Sequence, residues 1–380
     1  MNNERIYLSR PHMGGTEKKY IDKAFDQNWI APLGENVNEF ENSIKSYINV
    51  DNAIAVSSGT AAIHLSLIEC GVEEGDVVFC STLTFCATTN PVLYQKAKPV
   101  LIDSDNESWN MSPIALEKAF KKYNEMGIKP KAVVVVNLYG QMAKINEIQK
   151  ICDKYDTKLI EDAAESLGAT FENKMSGNFG DYGIFSFNGN KIITTSGGGM
   201  LVSKDNKLEH ALFLSTQARD KALHYQHSEL GYNYRLSNIS AGIGLGQMEV
   251  LNQRVERRRE IFQIYRDAFY NFKGFSFQPE LPNSRGNRWL TALTIDEKEA
   301  GFSVNDIMEK LLSENIEARP VWKPMHLQPL YEEFDYIAES NDNAKRLFEN
   351  GICLPSGSDM TNEQQQRVIS IIKNIYEQYN

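Results

Sequence analysis

Apolar residues in this chain gather in short, dense runs separated by stretches of helical spacing. The runs are Ala53–Ser57, Val77–Ser81, Pro99–Ile102, Ala132–Leu138, Lys158–Glu161, Ile184–Phe187 and Met200–Ser203. Several are β-branched and nearly continuous in hydrophobicity, as in Val133-Val-Val-Val136. That pattern suits strands covered on both faces. Between them, Thr60–Cys70, Pro113–Tyr123 and Lys144–Tyr155 read as helices, with Ser112-Pro113 as a start signal and Gly71 as a stop. Strand alternating with helix predicts a mostly parallel sheet with helices on both sides.

From about Asn238 the texture changes to one long helical pattern running to roughly Phe272. Its charge run, Arg254-Val-Glu-Arg-Arg-Arg-Glu260, reads as a solvated helix face. After Pro279–Asn287 come a strand near Leu290–Ile295, helices near Val304–Asn315 and Ala338–Asn350, and a last helix from Asn362. The expected division is a large domain over 15–245 and a smaller α/β domain over 246–380, joined in space by the arm 1–14.

Composition narrows the partners. The 380 residues are 42% hydrophobic and 24% charged, the balance of an ordinary soluble globular protein able to bury a large core. A net charge of −10 argues against nucleic acid or an anionic membrane as the main partner. Five scattered cysteines without a Cys-x-x-Cys pair point to neither a disulfide framework nor a zinc site. His224 and His227 stand three apart with no acidic or cysteine partner nearby, so no metal is expected. The amino terminus lacks an apolar signal core and no run reaches the length of a membrane span, which makes the cytoplasm the expected location.

The chemistry concentrates in three segments. Lys191 lies in Ser186-Phe-Asn-Gly-Asn-Lys191, with Gly197-Gly-Gly199 shortly after it. Asp162 ends the strand-like run before Ala163-Ala-Glu165. A lysine that can form a Schiff base and a carboxylate that can pair with a pyridinium nitrogen are what pyridoxal phosphate chemistry requires. Taken alone, Asp162 is also an ordinary helix cap and Lys191 an ordinary loop lysine. The third segment, Ser57-Ser-Gly-Thr60-Ala61-Ala-Ile63, carries a strand into a helix whose free N–H groups can cradle a phosphate. Ser186 is a second phosphate candidate. Phe85, after another strand, is placed either to stack on a cofactor ring or to pack in the core.

Together these motifs resemble the sugar-nucleotide aminotransferases of the DegT/DnrJ/EryC1/StrS type, and the likeness runs from Leu8-Ser-Arg-Pro-His-Met-Gly-Gly15 to Gly351-Ile-Cys-Leu-Pro-Ser-Gly357. Ser58-Gly-Thr-Ala-Ala62, Glu161-Asp-Ala-Ala-Glu165, Ser186-Phe-Asn-Gly-Asn-Lys191 and Gly231-Tyr-Asn-Tyr-Arg-Leu236 carry it. The resemblance implies an α/β aspartate-aminotransferase-like fold (fold type I for pyridoxal phosphate enzymes) and a homodimer with a shared active site. Within the family the chain is most similar to enzymes that form UDP-4-amino-4,6-dideoxy-N-acetylglucosamine, the bacillosamine precursor used in glycan biosynthesis. Trp29-Ile-Ala-Pro-Leu-Gly34, the segment Lys191–Met200 and Arg319-Pro-Val-Trp-Lys-Pro-Met-His326 carry that likeness.

Carried over by position, Lys191 is implied as Schiff-base lysine and general base, and Asp162 as the pyridinium partner. Phe85 would stack on the ring, and Gly59, Thr60, Ala61 and Ser186 would hold the phosphate. Glu165 would assist at the ring or at a sugar hydroxyl. Asn233 would reach the phosphate in the neighbouring subunit. Arg235 would meet the diphosphate or the donor's carboxylate, with a structural ion pair as the alternative. Asn28, Trp29, Ile30 and Ala31, together with Trp322, Lys323, Met325 and His326, are the expected substrate contacts, His326 alternatively being a loop-packing residue.

Two positions depart from the commoner pattern: Glu165 stands where many relatives have Gln, and Asn188 where many have His. The reaction expected is transfer of the amino group of L-glutamate to C4 of a UDP-4-keto-6-deoxy-N-acetylhexosamine, giving 2-oxoglutarate and the 4-amino sugar. A GDP-linked or other keto sugar, as in perosamine formation, is the alternative, as is a non-catalytic cofactor-binding regulator. A dehydratase of the same fold would have histidine in place of Lys191. A nicotinamide oxidoreductase would need an early Gly-x-Gly-x-x-Gly, which is not found.

Overall fold

The computed structural model describes residues 4–204 and 207–379. Residues 1–3 of the expected arm, 205–206 and Asn380 lie outside them. All the expected apolar runs are strands, Val77–Ser81 at its expected bounds and the others shifted by a residue or two at one end or both. In spatial order the main sheet runs Asn52–Val56, Gly199–Ser203, Tyr182–Ser186, Lys158–Asp162, Ala132–Val136, Val77–Ser81, Lys98–Ile102 and Tyr336–Ile337. Gly199–Ser203 is antiparallel to both its neighbours, and the remaining pairs are parallel. Val133, Val134, Val135 and their neighbours are fully buried because helices cover both faces, which is why these strands lack alternation. The last strand comes from the C-terminal third of the chain. Tyr336 and Ile337 pair with Leu101 and Ile102, so the expected helix over Ala338–Asn350 begins only at Asn343.

Local signals set the helix boundaries. Pro113 follows Ser112, whose hydroxyl accepts the Ala115 N–H at 3.2 Å, and this fixes the start of Pro113–Glu125. The helix Gly59–Glu69 starts the same way, Ser58 accepting from Ala61. A second sheet, Phe275–Phe277, Thr291–Ile295, Gly351–Leu354 and Arg319–Pro320, packs against the helices Leu251–Ala268, Val304–Ser313 and Asn362–Tyr379 around its own core. No helix among the described residues is long and apolar enough to cross a membrane.

Two expectations need correction. The long helix from Asn238 is two helices, Asn238–Met248 and Leu251–Ala268, with Val250 outside helical geometry between them. The first is rich in small residues, and Gly242 and Gly246 let the helix Glu17–Asp26 approach closely. A Cβ at Gly246 would lie 2.6 Å from the Glu17 nitrogen. The arm crosses at the break, where Gly14 sits against Val250.

The charge run is not a solvated face either. Arg258 is fully buried and donates to the Trp289 carbonyl and, at 2.9 Å, to the Ser9 hydroxyl. Arg259 pairs with Glu280, and Arg257 donates to Glu260 and the Met360 carbonyl. Arg254 reaches the His12 and Met13 carbonyls. Four arginines spaced along one helix thus bind to it the arm and the loops that flank the second sheet. Replacing Arg258 by Met leaves the buried Trp289 carbonyl and the half-buried Ser9 hydroxyl without their charged donor and is expected to lower stability by about 3 kcal/mol. The check is a lower urea midpoint at unchanged m-value.

Candidate active site

The C-terminal ends of parallel strands converge on a cavity of about 310 Å³, the place where open α/β sheets bind ligands. One wall is the turn Ser57-Ser58-Gly59-Thr60 that opens the helix Gly59–Glu69. First-turn N–H groups have no partners inside their own helix, and the helix dipole favours an anion there. The wall is closely built: a Cβ at Gly199 would lie 2.4 Å from the Ser58 carbonyl carbon. A Cβ at Gly59 would lie 3.1 Å from that of Ser186.

Asp162 ends the strand Lys158–Asp162, buried, with its orientation fixed from both sides. The Thr88 hydroxyl donates to one carboxylate oxygen at 2.7 Å and the Ala164 N–H to the other at 3.2 Å. Thr84 lies 2.6 Å behind Thr88. Burial pushes the Asp162 carboxyl above its usual range, opposed by these two donors and by the Lys191 charge. A cation placed beside Asp162 would relieve that penalty.

Lys191 stands in a loop closed at its neck. Phe187 donates to the Gly198 carbonyl at 2.9 Å and Thr195 donates back to Phe187 at 3.0 Å. The amine lies 3.5 Å from Glu165 Oε1 and 4.2 Å from the centroid of the Trp289 ring. The first distance is an ion-pair contact rather than a strong hydrogen bond. Glu165 accepts the Tyr139 N–H at 2.7 Å on its other oxygen. Burial raises its carboxyl to about 7, with Lys191 and the Tyr139 N–H working in the opposite direction and Asp162 adding to the rise. Tyr139 is buried in the left-handed region, φ 53°, and its hydroxyl accepts the Trp322 N–H at 3.0 Å.

Of the residues singled out in the sequence, Gly59, Thr60, Phe85, Asp162, Glu165, Ser186, Lys191 and Trp322 line this one cavity. Phe85 is 56% exposed and 5.6 Å from the Trp322 ring, so it stands at the mouth and is not a core residue. Ala61 lies behind Thr60, its N–H taken by Ser58. Lys323 is on the wall of an adjoining cavity that shares Trp289 and Trp322 with the first.

The others lie elsewhere. Asn28, Trp29, Ile30 and Ala31 are exposed beside the start of the helix Asn238–Met248, which they meet through Asn238 bonds to the Trp29 and Ala31 carbonyls. Asn233 is exposed and bridges to Thr216.

Three substrate-contact assignments give way to structural ones. Arg235 is buried and one terminal nitrogen of its guanidinium donates to Glu41 and the Ala55 carbonyl. His326 uses both ring nitrogens, on Thr82 at 2.8 Å and Asp342 at 3.0 Å, and stacks on Tyr336. Met325 is packed in the core. In the other direction, sequence reasoning missed Thr88, Trp289 and Tyr139. Thr88 follows Thr84 by four residues in a segment already marked, a spacing that could have flagged it. Trp289 has no such signal, because it enters the site from a distant part of the chain.

The Glu165 carboxyl generates a pH dependence. Between its ordinary value of 4.5 and its folded value of about 7 the native state binds more protons than the unfolded one. Its contribution to stability is therefore present at low pH and lost as pH rises through that window. In cofactor-free protein, Glu165→Gln removes this loss. The melting-temperature difference between variant and wild type is expected to grow in the variant's favour from pH 4.5 to 7 and then level off.

Comparison with known proteins agrees with this geometry. The model of the DegT/DnrJ/EryC1/StrS aminotransferase family matches residues 11–373. EpsN of Bacillus subtilis (strain 168), provisionally named a pyridoxal phosphate-dependent aminotransferase, is 55% identical over 377 residues, covering 98% of this chain and 96% of its own length. GDP-perosamine synthase of Escherichia coli O157:H7 is 36% identical, with 98% of both chains covered. The crystal structure of a DegT DnrJ EryC1 StrS aminotransferase from Brucella abortus superposes with a TM-score of 0.86 at 28% identity, covering 95% of each chain. With its motifs gathered in one cavity at the strand ends, the chain belongs to the DegT/DnrJ/EryC1/StrS aminotransferase family.

Proposed function

We propose that this aminotransferase, with pyridoxal phosphate as its cofactor, moves the amino group of L-glutamate to C4 of a nucleotide-activated 4-keto-6-deoxy sugar. The acceptor we favour is UDP-4-keto-6-deoxy-N-acetylhexosamine, giving UDP-4-amino-4,6-dideoxy-N-acetylglucosamine. One observation carries the reading: Lys191, in the loop between two strands, and Asp162, at the end of a third, face a single cavity that is also walled by the first turn of the helix Gly59–Glu69. The donor set suits the cofactor, since a buried carboxylate short of positive charge, a nearly buried amine and an anion-binding turn match its ring nitrogen, aldehyde and phosphate.

Pyridoxal phosphate, when bound, supplies a carbonyl that exchanges amines and a ring that accepts electrons. Asp162, held by Thr88 and Ala164, would keep the proton on the ring nitrogen. The turn Ser57–Thr60 and Ser186 would hold the phosphate. Phe85 would cover one face of the ring and exclude water. Lys191 would take the proton from the α-carbon of glutamate and later deliver one to C4 of the sugar. Glu165, at 3.5 Å, would receive or return a proton at that amine. A second copy of the chain would complete the site by bringing Asn233 to the phosphate. In this scheme 15–245 is the cofactor-binding part and 246–380, with the arm, the smaller domain.

The likeness to GDP-perosamine synthase supports a second reading, in which the acceptor is a GDP-linked 4-keto-6-deoxy sugar. The two acceptors are separated by kcat/KM with each keto sugar. Preference for the UDP sugar by about tenfold or more selects the first reading, and the reverse ranking the second. Lys191→Ala is expected to lose the borohydride-trapped cofactor adduct and to lower transamination by about 10³-fold or more. A variant that keeps full activity refutes the scheme.

A further inference from the structure

Trp289 is 2% exposed, has no part in the sequence motifs, and meets the site through its indole N–H and its ring face. Its indole N–H donates to the Asn190 carbonyl at 2.7 Å, the peptide immediately before Lys191. Its ring face receives the Lys191 amine at 4.2 Å. Its own carbonyl is held by the buried Arg258. The Asn190 carbonyl takes a second bond, at 2.8 Å, from Ser9, which Arg258 also holds. Asn287 closes the arrangement: its side-chain oxygen accepts the Trp289 N–H at 2.8 Å, and its amide donates to the Glu165 carbonyl at 2.8 Å. The ring, the amine and the Glu165 carboxylate are thus held in one frame.

We propose that Trp289 is a positioning residue for Lys191, fixing the backbone on which it stands and holding its free ammonium against the indole face beside Glu165 whenever the amine is not joined to cofactor. The inference rests on the reading of Lys191 as the cofactor-linked lysine. An indole face is the strongest aromatic partner for an ammonium, and burial strengthens the attraction because water no longer competes. A released lysine side chain has many rotamers, so a fixed resting place keeps the amine within reach of both the carboxylate and the reacting carbon.

The test uses full-length protein freed of cofactor, labelled with acetic anhydride at fixed pH. Acetylation of Lys191 is followed by peptide mapping, with exposed Lys96 as internal reference. Trp289→Leu is expected to label Lys191 about tenfold faster than wild type, while Trp289→Phe, which keeps a ring face, stays within about twofold. Equal rates in wild type and Trp289→Leu overturn the proposal, as does a Phe variant as reactive as Leu. If Trp289→Leu does not fold, 5-fluorotryptophan in place of the four tryptophans weakens the ring's attraction while keeping its shape and N–H. Faster labelling of Lys191 is then expected, and an unchanged rate refutes the idea. Borohydride trapping of cofactor on wild type is run alongside. Absence of a trapped adduct at Lys191 removes the functional reading and this inference with it. A trapped adduct with unchanged labelling in Trp289→Leu removes this inference alone.

Discussion

Two carboxylates, Asp162 and Glu165, are buried in the field of one ammonium, Lys191, which contacts only Glu165, and the cost of burying like charges is the constraint around which this site is built. Removing a carboxylate from water is strongly unfavourable unless hydrogen bonds or a counter-charge replace the lost solvation. Each carboxylate receives such partners: Thr88 and Ala164 for Asp162, Tyr139 and Lys191 for Glu165. The compensation is incomplete, since burial dominates both shifts. In the proposed function, a cavity left short of positive charge in this way would accept a cationic ring beside Asp162. Burial also raises the Glu165 carboxyl to about 7, where in the same scheme it would exchange a proton with the amine.

The surrounding fold serves to hold these groups still. The ends of neighbouring strands bring Asp162 and Ser186 to the same edge of the sheet, because Asp162 pairs in register with Ile184. The antiparallel strand Gly199–Ser203 lies between Asn52–Val56 and Tyr182–Ser186, and its first glycine lets the turn Ser57–Thr60 approach. From outside the sheet, Arg258, Ser9 and Asn287 fix the peptide preceding Lys191 and the ring beneath its amine. The second sheet is therefore part of the site's support: its strand Thr291–Ile295 begins two residues after Trp289.

Much of this was readable in the chain. Buried parallel strands announce themselves as continuous apolar runs, and the turn before Gly59 and the strand end at Asp162 follow from short-range rules of strand, cap and helix. Lys191, Asp162, Phe85 and the Ser57–Thr60 turn were legible for that reason: each sits within a few residues of the local signal that places it. Boundaries were less legible. The break at Val250 depends on the arm packing across it, and the short strand Tyr336–Ile337 depends on an open sheet edge at Leu101–Ile102.

What the sequence by itself determined is the set of elements and the reactive groups at their ends, since these depend on neighbours along the chain. Tertiary structure alone decided what the long polar side chains do. Arg235, Arg258 and His326 all have the chemistry to bind a ligand, yet each meets a partner brought from elsewhere in the chain: Glu41, Trp289 and Thr82. Which acceptor a buried donor meets is decided by how the fold brings segments together, and that acceptor is not encoded nearby. For the same reason Trp289 could not be read from its surroundings. Its role comes from the 4.2 Å separating its ring from an amine about a hundred residues earlier in the chain.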